Sequence, residues 1–278
     1  MTKSVAWLVL PAVLLSAVAC PPAYAQSEFL GQTFPYKASD RLPAIPIKVG
    51  GATLEVAFAP GEFALPRNAL IAWLETSAKA VSVYYGRFPV VSVRVLIVPA
   101  PGSGVKKGTS FGYRGAAIRL IVGSDSTEAD LRHDWIVVHE MTHLALPDVP
   151  DPHLWLAEGI ATYVEPIARV EAGQLTAAKI WGDMVRDMKK GLPEQGDRGL
   201  DGTPTWGRTY WGGAMFCLVA DIEIRKQTGN KAGLQQALRG IDALWRDLGV
   251  SVGEGAVTFD DSAPLAPIRR AITAAPAG

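Results

Sequence analysis

The sequence predicts an α+β fold, in which an N-terminal half of mixed sheet and helix packs on a mainly helical C-terminal half, with a metal site at the seam. Three observations predict it. Alternating, β-branched segments crowd the chain before about residue 122, and apolar residues at helical spacing dominate after it. Where the pattern changes stands His139-Glu140-Met141-Thr142-His143, followed after fourteen intervening residues by Glu158. The expected organisation is one domain over residues 26–278, with its α/β half at about 26–146 and its helical half at 147–278.

Residues 1–25 read as a signal peptide rather than as part of the fold. Lys3 precedes an apolar stretch at 5–19, and Ala23-Tyr24-Ala25 offers the small-x-small pattern that signal peptidase cuts. Cleavage there starts the mature chain at Gln26 and directs it to the periplasm or out of the cell. The apolar stretch is too short for a comfortable membrane span, and no other segment looks transmembrane. Ala17-Val18-Ala19-Cys20 also resembles a bacterial lipoprotein box, with Ala17 where leucine is usual, so lipidation of Cys20 is the alternative. After cleavage at Ala25 one thiol remains, Cys217. Its neighbours Met215, Phe216, Leu218 and Val219 make it a buried apolar residue rather than a nucleophile.

Strands are expected at 52–58, 90–98 and 116–122, where β-branched and alternating residues concentrate. A helix is expected at 66–85, with Pro66 suited to its first turn. Residues 101–112 are Gly-rich and carry Lys106 and Lys107 without the GxxxxGK[ST] spacing of a phosphate loop, and are expected to form a mobile loop. Ser124 or Ser126 then caps a helix that runs to about Leu146 and stops before Pro147. Further helices are expected at 155–171, 176–190, 211–228, 231–248 and, as a short piece, 265–273. Between them 191–206, rich in Gly, Pro and Asp, is the longest punctuated loop and a candidate border of the cleft.

Histidines four apart project from one helix face, so His139 and His143 can bind a single ion while Glu140 points toward its open position. Catalytic zinc takes three protein ligands and keeps the fourth position for water, and two histidines with one glutamate are an established set. His139, His143 and Glu158 supply it. Zinc lowers the pKa of its water to about 7, and Glu140 is placed to take the proton as the water attacks a carbonyl. Charge argues for no other partner class: Lys plus Arg equals Asp plus Glu at 27 each, so no net field favours nucleic acid. His133 lies on another face of its helix and His153 precedes a helix start, so both read as surface or capping residues. Thr162 and Glu165, four and seven beyond Glu158, share its helix face and are candidates for orienting the ligands. Glu165 reads equally as a solvated carboxylate, and Asp134 as a helix-surface acid.

His139-Glu140-x-x-His143 with Trp155-Leu156-x-Glu158-Gly159-x-Ala161-Thr162-Tyr163 resembles the gluzincin superfamily of zinc peptidases, the peptidase MA-like enzymes, and within it the M1-type and glycyl aminopeptidase branches. The match is strongest over about 115–228. The resemblance implies a thermolysin-like zincin domain holding one Zn²⁺, with a peptide or protein substrate cleaved by a metal-activated water and Glu140 as general base. It also implies that the strand before the motif helix, at 116–122, pairs with extended substrate. Thr209-Tyr210-Trp211-Gly212-Gly213-Ala214, continuing to Asp221-Ile222-Glu223-Ile224-Arg225, is similar to a glycyl aminopeptidase segment whose tyrosine hydrogen-bonds the oxyanion, which implies that role for Tyr210. The fourteen-residue gap is shorter than in the large aminopeptidases, the Gly-Ala-Met-Glu-Asn segment that grips a free amine is missing, and a minimal unit with a more open cleft is expected. Two other readings use the same residues: a zinc hydrolase of another amide, and a catalytically idle peptidase fold that only binds. The intact motif argues against idleness.

Overall fold

A computed structural model of the protein describes residues 27–112 and 114–247. The signal peptide expected at 1–25, Cys20 and the helical piece expected at 265–273 lie outside the described residues. Five strands among those described form one mixed sheet: β1 (Ala44–Val49), β2 (Ala52–Phe58), β3 (Ser92–Ala100), β4 (Val105–Phe111) and β5 (Ala117–Gly123), in the order β1-β2-β3-β5-β4. The three central strands β2, β3 and β5 run parallel, and β1 and β4 close the two edges antiparallel. Central strands covered on both faces bury nearly every side chain, and β3 and β5 do so.

Alternation along the strands assigns the two faces. Val95 and Ile97 of β3 and Ile118 and Leu120 of β5 belong to the main core, with Leu70, Leu74 and Val81 of α1, here the helix Arg67–Tyr85. Leu96, Val98 and Ala117 face the other way, onto Phe29, Phe34 and Tyr36 of the N-terminal segment. A buried arginine fastens that segment: Arg119 of β5 donates through Nη1 to the carbonyls of Phe29, Gly31 and Thr33. Three carbonyl acceptors offset the cost of burying a guanidinium, which lowers its pKa.

Two expectations are corrected here. Residues 101–112 are not a loop, because 105–111 form the edge strand β4. An edge strand has one neighbour, so it tolerates exposed lysines and glycine that a central strand would not, and the exposed Lys106 and Lys107 with a bulge between Val105 and Lys107 fit that place. The single helix expected up to Leu146 is two. Thr127 caps the short α2 (Glu128–His133) in a capping box with Asp130, and the chain then breaks at Asp134. Asp134 caps the next helix, α3 (Ile136–His143), accepting from the backbone N–H of Ile136 at 3.0 Å and of Val137 at 3.1 Å. It is therefore a capping acid rather than a surface one, and burial raises its pKa to about 6 against those two hydrogen bonds.

Beyond residue 147 every regular element among the described residues is helical: α4 (Leu154–Glu171), α5 (Ala177–Asp187), a π-helical turn (Gly207–Gly212), α6 (Gly213–Thr228) and α7 (Leu234–Asp247). Thr176 caps α5 through Lys179 N–H. Cys217 is buried in α6, where desolvation pushes its thiol up to about 12 and leaves it inert.

Candidate metal centre

The motif helix α3 rests its apolar residues Val137, Val138 and Met141 in the main core, which turns His139 and His143 toward α4. There Glu158 Oε2 lies 3.0 Å from His139 Nε2 and 3.5 Å from His143 Nε2. The three ligand atoms all lie within 4.8 Å of one another. Ligand atoms sitting about 2.0–2.1 Å from one tetrahedral ion are separated by roughly 3.3 Å, so two imidazoles and a carboxylate at these spacings suit zinc.

The three groups are strongly coupled. Burial opposes ionisation of Glu158, yet the hydrogen bonds and charges of the two histidines hold its carboxyl well below the usual range. Burial lowers His139, favouring the neutral imidazole that ligates metal. For His143 burial pulls the same way, but Glu158, Glu140 and Asp148 outweigh it and raise the pKa. His139 Nδ1 is buried with no hydrogen-bond partner among the described residues. The Trp135 ring meets the His139 imidazole edge-on at 5.3 Å, and that of Tyr210 stacks on it at 5.9 Å and 18°.

The cluster opens into a cleft of about 270 Å³. Glu140, His143, Glu158 and Tyr210 line it, together with Ser110 and Phe111 of β4 and the apolar Leu144, Leu146, Pro147 and Leu154. Tyr210 reaches the cleft from the π-helical turn, a backbone irregularity frequent at functional sites. Burial and the adjoining negative charge of Glu158 raise the phenol and keep it a proton donor. Tyr163 points elsewhere, donating to Asp221 at 3.0 Å in the core.

Other residues singled out in the sequence fall outside the cluster. His133 Nδ1 meets the Ala129 carbonyl at 2.7 Å, and His153 Nδ1 meets Asp201 at 2.9 Å. Glu165 is neither a ligand support nor solvated: buried, it accepts from Arg169 Nη1 at 2.8 Å, and Arg169 also holds the Arg132 carbonyl. Thr162 Oγ1 is buried without a partner among the described residues. The 191–206 loop does not line the cleft: an Asp197–Arg208 ion pair ties it to the π-helical turn, and Asp201, accepting from Trp155, ties it to the start of α4. The strand expected to pair with substrate is also corrected. Both edges of β5 are taken, by β3 and β4, so 116–122 has no free edge and the exposed edge beside the cleft belongs to β4.

Two residues on β4 escaped sequence reasoning. Ser110 Oγ lies 2.5 Å from Glu140 Oε2, and Gly108 stands directly against the Glu140 side chain. The Gly-x-Ser alternation was the available signal, but composition alone made the segment read as a loop.

No protein-family model and no curated protein matches this chain. Solved structures do share its fold. An aminopeptidase N family protein from Idiomarina loihiensis superposes with a TM-score of 0.53 at 14% identity, over 77% of this chain and 43% of that one. A two-domain M1 zinc metallopeptidase bound to L-arginine superposes with a TM-score of 0.50 at 17% identity, over 83% of this chain and 49% of the other. The chain thus spans less than half the length of the structures it matches. The α+β fold is the one these two structures share with it.

Proposed function

We propose that the protein is a zinc-dependent peptidase of gluzincin type that cleaves peptide bonds with Glu140 as general base. The observation that carries the reading is the convergence of His139, His143 and Glu158 beside a cleft that Glu140 and Tyr210 also line. One zinc ion held by the three ligands would acidify water and polarise a carbonyl. Glu140 takes the proton of the attacking water and passes it to the departing amine. Tyr210 donates its hydroxyl proton in a hydrogen bond to the oxyanion that develops on the substrate. The free edge of β4 pairs with extended substrate, and Leu144, Leu146 and Leu154 receive an apolar side chain. Residues 1–25 send the protein to the periplasm or out of the cell in this reading, with lipidation at Cys20 as the other export route. Among the described residues no helix is long and apolar enough to cross a membrane.

The test combines metal analysis with turnover of a peptide library. Wild type should carry one zinc and cleave, His143→Ala should be largely metal-free, and Glu140→Gln should keep zinc while turnover falls by about 10²-fold or more. Full zinc without cleavage in wild type would replace the peptidase reading with an idle peptidase fold that binds.

A further inference from the structure

The edge strand beside the metal cluster also grips the base. Ser110 Oγ lies 2.5 Å from Glu140 Oε2 and 2.9 Å from the carbonyl oxygen of the same residue. A hydroxyl has one proton to give, and the shorter bond, to a charged oxygen, takes it. Two residues earlier, and so on the same face of the strand, stands Gly108. A Cβ there would sit 2.9 Å from Glu140 Oε1, 2.6 Å from Ile136 Cγ2 and closer still to Glu140 Cγ. Real Cβ atoms do not approach so near, so the base lies where it does only because position 108 has no side chain.

We infer that Ser110 and Gly108 are positioning residues for Glu140: the serine holds one carboxylate oxygen and the glycine leaves the space the side chain fills. The inference rests on the peptidase reading, in which Glu140 must meet the water in one orientation. A glutamate has three rotatable side-chain bonds, and a base fixed in advance need not be ordered at each turnover. The placement has a second consequence. If β4 pairs with substrate, one strand sets both the register of the scissile carbonyl and the position of the base.

The experiment uses zinc-loaded full-length wild type, Ser110→Ala, Ser110→Thr and Gly108→Ala, with kcat and KM on a cleaved peptide, zinc per chain, and crystal structures of wild type and Ser110→Ala. Ser110→Ala should lower kcat about tenfold with KM within about twofold, Ser110→Thr should restore it, and Gly108→Ala should lower kcat about a hundredfold, as a misplaced reacting group does. Zinc content should be equal throughout, and Glu140 should leave its wild-type position in Ser110→Ala. Wild-type kcat with Glu140 unmoved in Ser110→Ala would overturn the inference, and so would a loss explained by missing zinc. If wild type cleaves nothing while Glu140 still swings away in Ser110→Ala, the peptidase reading fails and the positioning role stands.

Discussion

Gly159 of α4 and Gly213 of α6 meet backbone to backbone. A Cβ on Gly159 would strike the Gly213 backbone, and one on Gly213 would strike the carbonyl of Trp155 and the Cα of Gly159. Glu158 of the candidate metal cluster precedes this crossing by one residue, so close helix packing fixes the height at which its carboxylate meets the two imidazoles.

Gly159→Ala is therefore expected to damage the candidate metal centre without touching any of its three residues. Alanine gains about 1 kcal/mol of helix propensity over glycine, but overpacking costs about 1–3 kcal/mol, and backbone atoms cannot step aside as a side-chain end can. The cost wins. Thermal melting should show net destabilisation and zinc titration a weaker affinity. A variant as stable as wild type that binds zinc equally well would dissociate the crossing from the ligand's position.

Tyr210→Phe keeps the ring stacked on His139 and deletes one donor. Turnover should fall roughly ten- to a thousandfold with zinc content and KM little changed, the loss expected for one oxyanion donor. Tyr163→Phe is the control. It removes the bond to the buried Asp221 and should cost about 1 kcal/mol of stability, read from chemical denaturation, while activity persists. Loss of activity in Tyr163→Phe and its retention in Tyr210→Phe would exchange the two roles.

Glu165 should make stability depend on pH. Desolvation raises its pKa from 4.5 to about 7, with Asp134 adding to the rise, while Arg169 and Lys179 oppose it. The folded chain then binds this proton more tightly than the unfolded chain, so stability present at low pH is lost as pH rises from 4.5 through about 7. The loss is at most about 3 kcal/mol, at 1.36 kcal/mol per pKa unit. Urea denaturation of the metal-free protein from pH 4 to 8 should show this decline in wild type and a flatter profile in Glu165→Gln. Parallel profiles would place the proton elsewhere.

The candidate cluster of His139, His143 and Glu158 was legible in the sequence because the histidine geometry is local. Histidines four apart share a helix face in any fold, and strand β2 announced its bounds at Ala52–Phe58 by its own side chains. The capping acid of the motif helix was harder to see: Asp134 reads as one more polar residue of a continuous helix until α2 and α3 are seen to part there.

By itself, then, the sequence pointed to the three residues that the fold brings together as the candidate metal cluster, and to which half of the chain is sheet or helix, since periodicity and spacing are properties of the chain alone. The tertiary structure decided what surrounds them. That 105–111 is a strand depends on its pairing with β5 across a connection, and whether β4 or β5 owns the free edge depends on strand order, which no local pattern encodes. Likewise the stacking of Tyr210 on His139 and the grip of Ser110 on Glu140 join residues 71 and 30 positions apart, brought together only once the sheet and the helices have packed.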